Sequence, residues 1–529
     1  MTVDATPRPH SAPARRRATW LRGRRSVEIF GGLAALAAGA VLYTRFSFNG
    51  LFWRDEAIYA YAGQQMTHGV PPYASVFDAK GPGSSMIAGA AAGLAHVVGV
   101  DDLHMIRLAF FACSLLAVVG VYLLALQLWR SVPGALVAAV VFASFKGYAW
   151  PAAAGPDGHA PAVTFAVIAM WLAAGRRWFW AAFAGSLALL VWQPMAVYPA
   201  LVILAAPLCT PGARWRALAY AVAGFLTPLA ATAAYFVSAG AFGKLVESAI
   251  VFPVTAFRGG NPPLGGQLPR IASVLYGAYG PLGALLIWGG LVLIVALTIA
   301  TIARPGAGWW RAALREPLAL VVLLSLLAEA AFALRDMVAY PRSFPLLAYA
   351  AIGWGGAVAV VARRLAGRET ARLAVNATAL ALALALTVVS AQLFSADRHN
   401  NSRLVAERAT ACAMNRIIVP GTPLYALGDP VPLVLTHRRN PDRFIYLLSG
   451  VAHWKVEHTP GGFRAWTAQI ADSRALVIVS RAWEANPLAG RMTRWLRAHY
   501  QHAHLGTWRI FFTPQAAARA AGHDITLTR

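Results

Sequence analysis

Apolar runs close to twenty residues long recur through the first three quarters of the chain, separated by short polar stretches. A helix of that length crosses roughly 30 Å of hydrocarbon. Eleven membrane spans are expected, at about Val27–Phe46, His104–Trp129, Pro133–Trp150, Ala160–Ala174, Trp178–Trp192, Pro194–Leu208, Leu218–Ser238, Gly280–Ile302, Pro317–Leu334, Pro345–Val361 and Leu373–Phe394. Two connections are long, 47–103 and 239–275. Within the first, Asp55–Thr67 reads as a helix ended by Gly69-Val-Pro-Pro, and Pro82–Val100 as an Ala/Gly-rich second one. Both suit helices lying in the membrane interface.

Past Ser395 the pattern changes. Apolar runs shrink to strand length at Pro423–Leu427, Phe444–Leu448, Ala475–Val479 and Thr507–Phe512. Amphipathic helix candidates, Arg464–Ala471 and Arg491–His502, lie between them. Strands alternating with helices predict a small α/β domain. The expected class is thus a mainly α, polytopic membrane protein in three parts. These are a disordered basic cytoplasmic tail (1–26), a transmembrane domain (27–394) and an extracytoplasmic α/β domain (395–529).

Composition sharpens this picture. Of the 529 residues, 58% are hydrophobic and 13% charged, about half the charge of a soluble protein. The net charge of +25 would suit a nucleic-acid partner if it were gathered on one face. Instead the arginines fall in a tail and alternate short loops: Arg15–Arg17 and Arg22–Arg25, Arg176–Arg177, Arg214 and Arg216, Arg304 to Arg315, Arg363 to Arg372. That is the signature of cytoplasmic loops. It argues against nucleic acid and sets the N-terminus inside, while the Ala/Arg-rich composition and the lack of sorting signals point to a bacterial plasma membrane. The three cysteines, Cys113, Cys209 and Cys412, form no metal-binding spacing and no disulfide framework.

Acidic side chains are scarce, 21 in all, and costly beside a bilayer. Three of them, with a lysine, crowd one stretch of the first outer loop, WRDEAIYAYAGQQMTHGVPPYASVFDAKGPG, residues 53–83. A helix there places Asp55, Tyr59 and Ala62 on one face, and Asp78-Ala79-Lys80 returns an acid and a base toward the same membrane lip. The order R-D-E-A-x-Y, G-x-x-P-Y, F-D-x-K-x-P resembles the first outer loop of GT-C-type glycosyltransferases. It is most similar to the branch holding polyprenyl-phosphate-mannose protein mannosyltransferases and lipid A aminoarabinose transferases. The likeness is specific over about 30 residues and architectural elsewhere. It departs at Gly81, where that family usually carries proline, and after the third span, where only Asp157 and His159 stand for a familiar acid.

The resemblance implies transfer of a sugar, with inversion, from a polyprenyl-phosphate donor to an extracytoplasmic glycan, lipid or protein acceptor, with Asp55 as base. Inverting transfer needs a carboxylate opposite the leaving group, and a phosphate leaving group needs cations. Outer-side candidates for those cations are Lys80, Lys244, Arg258, Arg270 and Arg342. Glu56, Tyr59, Tyr73, Asp78, Asp157 and His159 are further substrate-binding candidates. Plainer roles stand beside these. Asp55 could pair with Arg54, Asp78 with Lys80, Glu56 could be structural, the tyrosines could be interfacial anchors, and Arg342 could snorkel to headgroups. No cofactor is implied with certainty, although Asp55, Glu56 and Asp78 could together take a divalent cation. Two other classes remain open: a transporter or flippase for a lipid-linked sugar, and a non-catalytic membrane scaffold.

Overall fold

The structure, a computed structural model, describes residues 13–46, 49–50, 52, 54–256, 264–302, 316, 318–337, 339–365, 367–396, 403–480, 483, 486–523, 525 and 527. It is mainly helical, with one small sheet. Six described helices are long and apolar enough to cross a membrane: Arg25–Tyr43, Asp102–Trp129, Pro211–Ser238, Gly266–Thr301, Tyr340–Arg364 and Glu369–Ala396. A seventh span forms if Val132–Ala143 and Lys146–Ala154, bent by 69° at their junction, are taken together. The chain is a multi-pass membrane protein. The other expected spans are helical too, but His159–Ala174, Trp178–Val191 and Gln193–Cys209 are shorter than a bilayer.

Lipid-facing and bundle-facing helices differ in what they expose. Glu369–Ala396 turns Leu373, Leu382, Leu384 and Leu393 outward, as a rim helix in lipid should. Tyr340–Arg364 is lined by small residues and packs inside. At its crossing with the helix Leu264–Ile302, a Cβ on Gly353 would sit 2.1 Å from the Gly290 carbonyl oxygen. Only glycine lets the two backbones approach so closely, the usual device of membrane helices.

Several boundaries differ from the sequence expectation. The first helix begins at Pro13, inside the expected disordered tail, because alanine and arginine are good helix formers and extend the span inward. The second long outer loop is shorter, since residues 264–275 are helical and continuous with the following span up to a break at Gly280 (φ 69°). What remains carries the short helices Phe242–Val246 and Phe252–Thr255, joined by a π turn.

The loop helices fall where expected, at Arg54–Thr67 and Gly83–Val98. The C-terminal part holds a four-stranded sheet, β1 (Leu424–Leu427), β2 (Leu476–Val479), β3 (Gln501–Leu505) and β4 (Trp508–Phe512), in the order β1-β2-β4-β3. β1 and β2 are parallel, whereas β4 runs antiparallel to β2 and β3. Phe444–Leu448 is not a strand. Phe444 stacks on Phe77 of the first outer loop (ring centroids 4.8 Å), so that segment reaches across to the membrane domain. The expected helix Arg491–His502 runs instead from Pro487 to His499, and His502 and His504 lie on β3.

Candidate active site

The long loop between the first two spans folds back so that Asp78 and Lys80 come within reach of Asp55 and Tyr59. Asp55, in the first turn of Arg54–Thr67, is exposed. One turn on, Tyr59 is buried, and its hydroxyl accepts a hydrogen bond from Lys80 Nζ at 2.8 Å. The Lys80 amide donates to Asp78 Oδ1 at 3.3 Å. Asp55 lies within electrostatic reach of both Asp78 and Lys80. The face predicted from helical spacing is therefore the face that meets the returning Asp78–Lys80 segment.

Asp157 and His159 join this group from a different part of the chain. They occupy the break between Lys146–Ala154 and His159–Ala174. Asp157 Oδ1 accepts from the His159 amide and contacts His159 Nδ1 at 2.9 Å. A Cβ on Gly158 would lie 2.9 Å from both Tyr59 Oη and Ser84 Oγ, which places this turn directly against Tyr59. His159 packs edge-on to Trp192 at 4.8 Å. Ser84 is fully buried and its hydroxyl has no partner among the described residues.

The charges tune one another. Burial acts against the charged form of Lys80. Tyr59, Asp55 and Asp78 outweigh burial and hold the ammonium well above the ordinary lysine range. Burial pushes the Asp78 carboxyl up, and Lys80 pulls it only part of the way back. For Asp157 the balance is reversed, since the His159 charge and hydrogen bonds overcome burial and keep the carboxyl below its usual range. The result is a persistent cation within electrostatic reach of a low-pKa acid, Asp157, and an exposed one, Asp55.

Backbone contacts hold the segment in place. Tyr73, buried and in the left-handed region (φ 64°), donates its hydroxyl to the Lys80 carbonyl at 2.7 Å. Gln193 Nε2 donates to the Ala79 carbonyl at 2.7 Å and to the Ala249 carbonyl at 3.1 Å. A Cβ on Gly81 would sit 2.1 Å from the Leu190 carbonyl oxygen. The loop is thus pressed on the end of Trp178–Val191, and the position has no room for a side chain.

Beside the cluster a groove of about 570 Å³ is lined by Phe46, Lys146, Trp150, Val274 and Tyr340, among others. Its walls are mostly apolar, and Lys146 is exposed at its edge. Tyr340 belongs to both places, lining the groove and lying within electrostatic reach of Asp157.

The remaining candidates scatter. Glu56 is buried within electrostatic reach of Arg107, also buried, so the three acids offered for a cation do not converge. Among the described residues no group of three His, Cys, Asp or Glu is placed to hold a metal. Arg342 makes an ion pair with Asp336 and donates to its carbonyl at 2.8 Å; Arg270 is close enough for the two guanidinium groups to repel. Lys244 is exposed on the short helix Phe242–Val246. Arg258 lies outside the described residues. Ser84, Gln193 and Lys146 were missed, because single polar residues at the ends of apolar runs carry no periodic signal.

The fold has counterparts in solved structures. ArnT from Cupriavidus metallidurans, bound to undecaprenyl phosphate, superposes with a TM-score of 0.61 at 16% identity, covering 90% of this chain and 97% of that one. Its apo form gives 0.59 at 15%, with the same coverage. The Archaeoglobus fulgidus oligosaccharyltransferase, tethered to an acceptor peptide, gives 0.51 at 14%, covering 90% of this chain and 74% of that one. The chain has the GT-C fold. At the level of sequence, no family model matches the chain and no curated protein matches it. The likeness to these structures is thus one of architecture, not of overall sequence similarity.

Proposed function

We propose that the chain is a glycosyltransferase that moves a sugar, with inversion, from a polyprenyl-phosphate carrier to an acceptor outside the cytoplasm. One observation carries the reading. Within a GT-C fold, Asp55, Asp78, Lys80 and the Asp157–His159 pair converge beside a groove lined by apolar side chains of membrane helices. The prenyl chain would lie along Phe46, Trp150 and Val274. The phosphate would meet Lys80, whose charge persists in the site and would stabilise the leaving group. Asp55, exposed to an incoming hydroxyl, would take its proton as the new glycosidic bond forms. Asp157, held ionised by His159, would keep Lys80 charged and oriented.

In this reading the short helices complete about eleven passes, the N-terminus faces the cytoplasm of a bacterium, and the sheet domain lies outside. The deciding experiment is Asp55→Asn assayed with labelled polyprenyl-phosphate sugar. Loss of covalent product by roughly 10²-fold or more, with folded protein retained, is expected. Full turnover in that variant would remove Asp55 from the mechanism, while relocation of the donor without any covalent product would mark a flippase.

A further inference from the structure

The segment bearing Asp78 and Lys80 follows directly on two residues, Tyr73 and Phe77, and a single arginine of the C-terminal domain holds both. Arg443 Nη1 donates to the Tyr73 carbonyl at 3.4 Å, and the Arg443 carbonyl accepts the Phe77 amide at 2.7 Å. Its guanidinium carbon lies 5.3 Å from the Phe77 ring centroid and 4.9 Å from that of Phe444. Arg443 Nη2 also donates to Glu247 Oε2 at 2.6 Å, and Glu247 Oε1 accepts from Trp454 Nε1 at 3.1 Å. Phe77 in turn packs edge-on to Phe252 at 5.1 Å. Three extracytoplasmic parts therefore meet at one side chain: the first outer loop, the second outer loop and the sheet domain.

We propose that Arg443 is a positioning residue that sets Lys80 for the donor phosphate, so that the C-terminal domain controls donor binding through the backbone of residues 73–80. The inference rests on the reading of Lys80 given above. The hold is two-ended. Tyr73 is fixed at its carbonyl by Arg443 and passes that constraint to the Lys80 carbonyl through its hydroxyl. Phe77 is fixed at its amide and its ring, one residue before Asp78. An arginine suits the task because its planar fork donates in two directions while its face stacks on aromatic rings.

The test uses the full chain in detergent, with hydrogen exchange and undecaprenyl-phosphate titration read in parallel. Arg443→Ala removes the guanidinium, with its bond to Tyr73 and its stacking on Phe77, but keeps the carbonyl that accepts the Phe77 amide. Exchange across residues 73–80 is expected to rise about tenfold or more, with the membrane helices unchanged. The affinity for undecaprenyl phosphate should fall by a similar factor. Arg443→Lys, which can keep the pair with Glu247 but not the fork, should recover part of both. If Arg443→Ala does not fold, Glu247→Gln is measured instead. It spares the guanidinium and its bond to the Tyr73 carbonyl, and a smaller change in the same direction is expected. Unchanged exchange at residues 73–80 in a folded variant overturns the hold on the loop. Raised exchange with unchanged phosphate affinity overturns the link to Lys80. Absence of binding by the unsubstituted protein would sink the donor reading itself, and the exchange arm decides the role of Arg443 without it.

Discussion

Lys80 illustrates how a buried cation can be a stable feature of a site. Asp55, Asp78 and the Tyr59 oxygen surround it, and together they offset the cost of desolvation. Its folded-state pKa is raised, so the ammonium contributes stability below the unfolded value of 10.5 and loses it only at still higher pH. Polyprenyl-phosphate affinity is therefore expected to be flat from about pH 7 to 9 by this group, as a binding titration across that range would check. A steep fall there would assign the contact to a different cation. Asp157 behaves in the opposite sense. Its pKa is lowered, so its contribution is present above the unfolded value of 3.8 and fades as the pH falls through the lowered one. Asp157→Asn should flatten the acid limb of a melting-temperature profile below about pH 4. Gly81→Ala has no room at the Leu190 carbonyl and must move the loop. A shift near 1 Å at reacting groups costs roughly 10²-fold in rate, so turnover should drop while the helical circular-dichroism signal stays.

Elements in this protein are made by two different rules. In the spans, length and apolarity suffice to form a helix, because the backbone has no other way to satisfy its polar groups in lipid. Which helix packs where is decided by small residues. Gly290 and Gly353 bring the helices Leu264–Ile302 and Phe344–Arg364 into backbone contact. Gly353→Leu would force them apart, costing roughly 1–3 kcal/mol, seen as a lower melting temperature in detergent. In the C-terminal domain, alternation and strand length located β1, β2 and β4, each within about one residue. The same logic misassigned Phe444–Leu448, whose apolar side chains serve a contact with another part of the molecule. It also missed β3, where Gln501-His-Ala-His-Leu has one polar face and few β-branched residues.

At the scale of the whole molecule, the sheet domain and the first outer loop share a core. Phe52, Ile58 and Tyr61 pack in one cluster with Leu433, Ile445 and Ile478. The Tyr61 hydroxyl accepts from the Asn440 amide at 2.9 Å, and Gln64 Nε2 donates to the Val434 carbonyl at 3.2 Å. Arg408 pairs with Asp101 at 2.6 Å. A chain ending at Ser395 would leave these loop residues uncovered, a large apolar patch of the kind that drives aggregation. Such a truncation is expected to lose transfer and to aggregate on extraction, measured by size-exclusion chromatography. A monodisperse, active truncation would show that the domain is dispensable to the site.

By itself the sequence determined the membrane character, the helical body, the loop helices and the face on which Asp55 and Tyr59 meet. Those properties follow from local rules: run length in hydrocarbon, helical spacing, and the cost of charge near lipid. Only the tertiary structure decided that Asp157 and His159 stand against Tyr59, that Glu56 turns to Arg107, and that Arg443 reaches the loop from some 370 residues away. Those pairings are contacts between distant segments, fixed by packing and charge balance, and no local pattern encodes them.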